Sequence, residues 1–297
     1  MTALAPVGMI GLGLMGTALS ARLIDAGISV TGFDIDASRC TALRANGGEP
    51  AISVGELATR CRTIVVAVYS AHQVERVLAE LERSNKLAQT IMICTTTCAP
   101  NEITRIAKRA DGAGLALVEA PISGTSAEVR DGSAMALIAG HAGAIEAASA
   151  ILDILCPRRE NVGNIGNASR TKLAINLILQ NNRASLAEGI AFAEGMGLDA
   201  AVFLATAQRS AAYSRVMDTK GRKMLTRDFS PQSHISQTLK DAELILAEAK
   251  RQNLWLPMTS TQSALLRTAI ALQGPDSDSA AVIEAVRPSR RRIEDPT

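Results

Sequence analysis

The chain lacks three features that would point to particular classes of protein: a strong net charge, a paired set of cysteines and a long apolar run. Its 297 residues include 31 basic and 29 acidic side chains, for a formal net charge of +2. Such a balance gives no overall field to hold a polyanion, so we expect no nucleic-acid partner. The five cysteines are odd in number and scattered, which argues against a disulfide framework and favours a reducing compartment.

No stretch of the sequence is apolar for long enough to span a membrane. The apolar start, residues 1–24, lacks a basic leading segment and is interrupted by Gly11, Gly13 and Gly16, so it is not typical of a signal peptide. Cys94 and Cys98 have no neighbouring Cys or His cluster that would complete a zinc site, and we expect no metal. These features predict a cytoplasmic protein without a membrane partner.

The C-terminus is polar and carries the one basic cluster of the chain. The cluster comprises Arg287, Arg290, Arg291 and Arg292. We interpret it, together with the tail at 291–297, as a solvated terminus, with contact to RNA as the less favoured alternative.

A glycine-rich turn follows the first strand-like run, at 7–10, and precedes an apolar-periodic helix. Strand, turn and helix in this order form the dinucleotide fingerprint, in which the diphosphate lies at the helix N-terminus. The three glycines serve the tight turn, the approach of the pyrophosphate to the backbone and the packing of helix on strand. The predicted cofactor residues of the turn are Gly11, Leu12, Gly13, Leu14, Met15 and Gly16. A glycine-rich turn followed by a helix-capping aspartate is the structural alternative.

Asp34 ends a second strand-like run, at 28–33, at about the 20-residue spacing expected of a ribose-binding acid. Its carboxylate would accept bonds from the ribose 2′-hydroxyl and repel a 2′-phosphate. The sequence therefore favours NAD over NADP, although the nearby Arg39 offers a partner for a phosphate.

Strand-like and helix-like segments alternate through the first half of the chain. Further strands are predicted at 63–68, 90–94 and 115–119, and helices at 72–83 and 100–110. This alternation predicts an α/β Rossmann-type domain, a doubly wound parallel sheet whose ligands bind beyond the strand C-terminal ends. Tyr69, Ser70 and the threonines at 95–97 fall at those ends, and Tyr69 is a candidate for contact with the cofactor. Capping of the following helices is the alternative for Ser70 and the threonines.

The second half reads as helical throughout. A long helix at 170–196 is followed by helices at 199–210, 213–225, 236–252 and 259–272. We therefore expect a dinucleotide-binding domain at 1–163, an all-helical domain at 164–290 joined through the long helix, and the polar tail at 291–297.

Lys172 and Asn176 lie one turn apart on one face of the long helix, just after the glycine-containing segment 163–166. A helical cap beside a dinucleotide domain leaves a cleft that the N-terminal end of this helix would face. A lysine desolvated there can exchange a proton near neutral pH, as oxidation of a hydroxy acid requires. From position alone, a solvated lysine is the alternative.

Two further segments are candidates for ligand contact. Backbone N–H groups and the Ser123 hydroxyl, in the segment 119–126, would form a concavity for a substrate carboxylate; an ordinary turn is the alternative. Lys240 lies in the first turns of the helix at 236–252, where it would contact the cofactor. A solvated ion pair with Asp241 is the alternative.

Four motifs in this order resemble the β-hydroxyacid dehydrogenases, and the likeness spans nearly the whole chain. The family includes enzymes acting on 3-hydroxyisobutyrate, tartronate semialdehyde and L-threonate and, more distantly, the 6-phosphogluconate dehydrogenases. The motifs are the glycine turn at 11–16, Glu119-Ala120-Pro121-Ile122-Ser123-Gly124, the segment from Gly163 through Lys172 to Asn176, and Lys240-Asp241.

The resemblance implies that Lys172 is the general acid/base and that Asn176 orients the substrate or the lysine. It implies that Ser123 and Gly124 bind the substrate carboxylate and that Thr96 lies beside the nicotinamide. It also implies a helical second domain that supports homodimers or homotetramers, and no metal. The expected substrate is a short 3-hydroxy acid of the 3-hydroxyisobutyrate, glycerate or threonate class.

The chain departs from the family pattern at a few positions. Glu119 stands where the family usually has Asp, and Thr125 follows Gly124 where a further glycine is usual, which narrows the substrate loop. Ala168 replaces a common glycine and puts the local turn in question. His234 lies in a polar segment similar to the L-threonate branch and is a candidate to bond a polyol hydroxyl. The alternatives are an imine reductase, which the presence of Lys172 disfavours, and a non-catalytic dinucleotide-binding protein.

Overall fold

The computed structural model describes residues 5–84 and 87–287. Contacts between Cα atoms divide the chain into two compact units, Met1–Ala174 and Ile175–Thr297. The domain boundary drawn from the sequence after residue 163 stays a prediction. Of the basic cluster, Arg290, Arg291 and Arg292 lie outside the described residues, as does the tail at 291–297.

The first unit is built on a nine-stranded sheet in the order β3-β2-β1-β4-β5-β6-β8-β7, with β9 also paired to β8. The strands are β1 Val7–Ile10, β2 Val30–Phe33, β3 Glu49–Pro50, β4 Thr63–Val66, β5 Thr90–Cys94, β6 Leu115–Glu119, β7 Ile122–Ser123, β8 Met135–Gly140 and β9 Arg158–Gly163. Strands β1 to β6 pair with one another in parallel, with β1 between β2 and β4. This is the strand arrangement of a Rossmann-type domain.

Seven helices of the first unit connect these strands. They are α1 Leu14–Asp25, α2 Ala37–Ala45, α3 Val54–Arg60, α4 Ala71–Glu82, α5 Pro100–Gly112, α6 Ser126–Asp131 and α7 Ala142–Leu155. Successive strand residues face opposite sides of the sheet. Val65 therefore packs into the core under α1 and α7, while Ile64 and Val66 pack into the core under α3, α4 and α5. The doubly wound α/β prediction is confirmed.

Two details of the predicted sheet are wrong: the sheet is mixed, and the strand ending at Glu119 is not the last of this unit. Strand β8 is antiparallel to β6 and β7, and β9 is parallel to β8. Helix α6 has six residues and rises about 9 Å, less than the ~16 Å of a five-residue strand. Helix α6 is therefore too short to return the chain to the opposite end of the strands, and the chain re-enters the sheet as the antiparallel strand β8.

The second unit is helical, apart from one isolated bridge between His234 and Asp278. Its helices are the continuation of α8 Asn167–Gly195, then α9 Ala200–Ala207, α10 Arg215–Thr226, α11 Ile235–Arg251, α12 Pro257–Gln273 and a short 3-10 helix Ser279–Ala285. The predicted all-α character of this half is confirmed. Arg287 differs from the solvated residue expected, because its guanidinium pairs with Glu194 at 2.6 Å and with Glu284 at 3.1 Å.

A buried ion pair lies at the centre of the second unit. Nζ of Lys220 is 2.8 Å from both carboxylate oxygens of Asp278, and the two side chains are 2% and 0% exposed. The same carboxylate accepts bonds from the backbone N–H groups of Gln232, Ser233 and Ala280. Asp278 thereby joins α10, the segment before α11 and the start of the 3-10 helix.

Within the described ranges 5–84 and 87–287, none of the helices combines the length and apolar character needed to cross a membrane.

Candidate active site

The carboxyl ends of five parallel strands meet along one edge of the first unit. Backbone bonds continue the ladder past the strand ends, from Gly11 N–H to Phe33, from Ala67 N–H to Ile10, from Thr95 N–H to Val66 and from Ala120 N–H to Cys94. Ligands of doubly wound sheets bind beyond this edge, next to the switch in strand order. The edge is the frame on which the predicted site residues of this unit are placed.

The glycine turn lies between β1 and α1, and its glycines meet different surroundings. Gly11 has φ +90°, and a Cβ there would lie 2.5 Å from the Ala67 carbonyl oxygen, while a Cβ on Gly16 would lie 1.8 Å from the Gly11 carbonyl oxygen. A Cβ on Gly13 would lie 3.8 Å from Nη1 of Arg39, an ordinary contact with the end of a long side chain. Gly11 and Gly16 are therefore required by packing, whereas the space at Gly13 is open for a ligand.

Helix α1 begins without a side-chain cap at Gly13, and the half-buried Leu14 and Met15 follow. The first N–H groups of a helix have no partner inside it, and with the helix dipole they attract an anion. The turn thus fits the diphosphate of a dinucleotide, although the Leu12 N–H is already donated to Asp34, at 2.7 Å.

Asp34 is buried at the end of β2, beside the glycine turn. One carboxylate oxygen accepts the Leu12 N–H, and the other accepts the Asp36 N–H at 2.9 Å. Nη1 of the half-exposed Arg39 lies 3.3 Å from Oδ2. Asp34 therefore shapes the turn as well as placing a negative charge beside it.

At the ends of β4 and β5, Thr96 joins two loops. Its hydroxyl donates to the Val68 carbonyl at 3.0 Å and lies 3.2 Å from the Val68 N–H. Tyr69 is 45% exposed. For Ser70, the alternative of helix capping is confirmed, because its hydroxyl accepts the Gln73 N–H at the start of α4. Thr96 and Tyr69 both lie at the edge where the sequence predicts the cofactor.

The substrate loop predicted from the sequence leads from β6 through β7 into α6. Ser123 is half-buried and Gly124 is exposed at the loop's turn. Thr125 caps α6: its hydroxyl accepts from the Glu128 N–H at 3.2 Å, while the Glu128 carboxylate accepts from the Thr125 N–H at 2.8 Å. The Thr125 hydroxyl is thus engaged in a capping box.

Glu119, at the last position of β6, is bound to the start of α8. One carboxylate oxygen accepts the Gly166 N–H at 2.7 Å and the other accepts the Ser169 N–H at 2.6 Å. Burial raises the pKa of Glu119 above its ordinary value, and the bonds from Ser169 and Gly166 oppose that rise. Ala168 lies inside the first turn of α8 and is fully buried, so no glycine is needed there.

Lys172 follows one turn into α8 and is 6% exposed. A lysine on the solvated face of a helix, the alternative suggested by position alone, is therefore excluded. A general acid/base must lie beside its bound substrate and away from bulk water, and the burial of Lys172 agrees with that requirement.

In the second unit, polar side chains of α8 are buried and bond to residues of α11. Nδ2 of Asn176 donates to Oδ2 of Asp241 at 2.9 Å, and Nζ of Lys240 lies 3.1 Å from Oδ1 of the same carboxylate. The pair of Lys240 and Asp241 is buried, with side chains 14% and 8% exposed, so a solvated pair is excluded. His234 precedes α11 and bonds the Asp276 carbonyl through Nδ1 at 2.8 Å.

The sequence did not single out Asp241, Gln180 or Arg183 as buried polar partners. Nε2 of Gln180 donates to the Thr238 carbonyl, and burial lowers the pKa of Arg183 to about 10. For Gln180 and Arg183, the available signal was their helical spacing from Asn176 along α8, four and seven residues further on. Polar residues on an otherwise apolar face indicate a buried polar row.

Comparisons with known proteins agree on a family. Residues 6–163 match the profile described as the NAD binding domain of 6-phosphogluconate dehydrogenase. Residues 166–286 match the profile described as NAD-binding of NADP-dependent 3-hydroxyisobutyrate dehydrogenase.

Two curated relatives match along nearly their whole length. Glyoxylate/succinic semialdehyde reductase 1 of Arabidopsis thaliana is 27% identical over 288 residues, covering 96% of this chain and 99% of the relative. The 2-hydroxy-3-oxopropionate reductase of Escherichia coli (strain K12) is 29% identical over 284 residues, covering 94% and 96%.

A solved structure, 3-hydroxyisobutyrate dehydrogenase from Salmonella typhimurium, superposes with a TM-score of 0.87 at 25% identity, covering 94% of this chain and 99% of that one. With the profile match over more than half of the chain, these findings place the protein in the β-hydroxyacid dehydrogenase family of nicotinamide-dependent oxidoreductases.

Proposed function

We propose that this enzyme interconverts the alcohol of a short 3-hydroxy acid and the corresponding carbonyl acid, with Lys172 as the general acid/base. The observation that carries the proposal is the burial of Lys172, 6% exposed, in the unit that also contains the glycine turn. In the oxidising direction the C–H bond breaks and its electron pair leaves with the hydrogen as hydride. The hydroxyl proton passes to Nζ of Lys172 as the C=O bond forms.

A bound nicotinamide dinucleotide would supply the hydride acceptor, and the turn at 11–16 with Asp34 and Thr96 would hold it. The Asn176 amide, anchored by Asp241, would orient the substrate or the lysine, and Lys240 would contact the cofactor. Ser123 and Gly124 would bind the substrate carboxylate, with Thr125 and His234 as further substrate contacts.

The relatives' names support a short acid with an aldehyde or alcohol group as the substrate. One relative is a reductase of glyoxylate and succinic semialdehyde, and another reduces 2-hydroxy-3-oxopropionate, whose reduction at the oxo carbon yields glycerate. We therefore propose the 3-hydroxyisobutyrate, glycerate or threonate class for this chain.

A panel of short hydroxy acids tests this proposal through the formation of NADH or NADPH. The panel compares 3-hydroxyisobutyrate, glycerate, threonate and serine, and we expect turnover of at least one of the first three. Reduction of a cyclic imine without turnover of any hydroxy acid would instead indicate an imine reductase.

We further propose that NAD is favoured over NADP, because a 2′-phosphate would approach the buried carboxylate of Asp34. Asp34→Asn removes the charge and keeps one acceptor oxygen for the Leu12 N–H, while its NH2 group then faces the Asp36 N–H. We expect the ratio of kcat/KM for NAD to that for NADP to fall by about tenfold or more, since one unit of charge at contact distance contributes ~1–3 kcal/mol in such settings.

Asp36→Asn is the matched control for the cofactor experiment, because Asp36 is an acid two residues away whose carboxylate caps α2. The ratio should stay at its wild-type value in this variant. An unchanged ratio in Asp34→Asn would remove Asp34 as the basis of the preference.

We also propose a homodimer or homotetramer formed through the second unit. Several large apolar side chains are exposed there, and such side chains mark an interface where they form a contiguous patch. The most exposed are Trp255 at 86%, Phe192 at 68%, Val202 at 65% and Met258 at 64%. Light scattering measures the mass directly, and a monomer would contradict the proposal.

All five thiols are free, which supports a reducing, cytoplasmic compartment.

A further inference from the structure

We propose that Glu119 is a positioning residue for Lys172: its carboxylate fixes the first turn of α8 on the end of β6, and with it the place of the amine. The proposal rests on the proposed role of Lys172. Glu119 does not contact the reacting atoms, so its effect on the reaction passes through α8.

The geometry of the contact is bidentate and local to the helix start. The two carboxylate oxygens accept N–H groups three residues apart, those of Gly166 at 2.7 Å and Ser169 at 2.6 Å. These are groups that a helix cannot satisfy internally at its first turn. Two bonds from one rigid group fix both the position and the rotation of the turn, and hence the direction of a side chain one turn further on.

The other end of the contact is equally constrained. Glu119 is the last residue of β6 and pairs with Cys94 of β5 and with Ala139 of β8. The next residue, Ala120, donates its N–H to Cys94 and begins the loop that contains Ser123. A single side chain therefore ties the helix of Lys172 to the strand from which the predicted substrate loop emerges.

Burial makes this contact more than an ordinary cap. Glu119 is 1% exposed, and a carboxylate held away from water is costly unless it is fully hydrogen-bonded. At other helix starts, exposed capping side chains accept the N–H groups of the first turn without that cost. Retaining a buried acid here is explained if accurate placement of α8 matters for the reaction.

Glu119→Gln tests the proposal with almost no change in shape. The amide oxygen can still accept one N–H, but the NH2 group then opposes the other N–H as a second donor. We expect kcat to fall by ~10- to 100-fold, as misplacement of a reacting group by about 1 Å can cause. The KM for NAD should stay within about twofold, because the glycine turn is untouched.

Glu119→Asp provides the conservative variant. It keeps the charge but is one methylene shorter, so it can reach one N–H group well and not both. We expect a kcat between those of the wild type and Glu119→Gln. Hydrogen exchange in the peptide spanning 164–172 should rise in the same order, while exchange in the rest of the chain stays at wild-type rates.

Glu56→Gln is the matched control, since Glu56 also accepts a backbone N–H, from Ile52 at 2.7 Å, at the start of another helix, α3. It should leave kcat unchanged. Wild-type kcat in Glu119→Gln, or a loss that only follows the folded fraction measured by thermal unfolding, would overturn the positioning role. The activity of Lys172→Met then distinguishes two failures. If Lys172→Met is also fully active, the proposed function itself is wrong. If Lys172→Met is inactive, the proposed function stands and only the positioning role of Glu119 is wrong.

Discussion

Replacing Lys172 with methionine is expected to lower kcat by about two to four orders of magnitude, the usual contribution of a general acid/base. Methionine keeps most of the apolar stem at a position that is 6% exposed, so packing changes little. The dissociation constant for NAD should remain within about twofold, because the amine acts on the substrate. Single-turnover kinetics with the best substrate of the panel, together with NAD binding by fluorescence, measure both quantities.

The exposed Lys108 of α5 offers a matched control, and Lys108→Met should retain wild-type kcat. Lys172→Ala extends the test, because a small primary amine added to the buffer should restore part of the lost rate in the space left by the side chain. Full activity of Lys172→Met would remove the proposed mechanism, whatever the substrate.

Replacing Asp278 with asparagine is expected to lower the free energy of unfolding by about 3–5 kcal/mol, as for other buried ion pairs that lose one partner. The substitution leaves the Lys220 ammonium buried without a carboxylate and weakens the bonds from Gln232, Ser233 and Ala280. Urea unfolding followed by circular dichroism measures the change.

The double variant Asp278→Asn/Lys220→Met should recover part of this loss, because it removes the uncompensated charge. The double-mutant cycle then gives the coupling between the two side chains. Glu243→Gln, which breaks the exposed pair with Arg267, should change stability little. A small effect of Asp278→Asn, similar to that of Glu243→Gln, would contradict the central role of the buried pair.

The same pair predicts how stability depends on pH. Burial opposes ionisation of Asp278, but the Lys220 ammonium and the hydrogen bonds outweigh it and hold the pKa of Asp278 below its ordinary value of 3.8. A depressed carboxyl pKa stabilises the fold above the unfolded-state pKa, and this contribution is lost as the pH falls through the folded-state value. We therefore expect the slope of stability against pH below pH 4 to be shallower in Asp278→Asn than in the wild type.

Part of the fold was open to prediction from local pattern. The strands Thr90–Cys94 and Leu115–Glu119 agree with the predicted bounds to the residue, because each is a short apolar run bounded by polar or turn residues. The glycine turn could be recognised because its glycines are required by nearby backbone. Gly16 lies against the Gly11 carbonyl, and Gly11 lies against the carbonyl of Ala67, which follows the adjacent strand β4. Both are features that neighbouring residues determine.

Other elements were not predicted, for reasons of distance along the chain. Strands β8 and β9 pair with one another across α7, and a mixed sheet arises because α6 is too short to carry the chain back over it. The polar strand β9, with its exposed residues, has no apolar alternation from which a strand could be inferred.

The sequence by itself determined the dinucleotide-binding fold, the helical second half and the residue types of the candidate site, since periodicity and spacing act over a few turns of chain. Only the tertiary structure decided that Lys172 is buried, that Glu119 binds an N–H group 47 residues away and that Lys220 meets Asp278 across 58 residues. Burial and charge pairing depend on which distant segments pack together, and that choice is made by the whole core rather than by any local pattern.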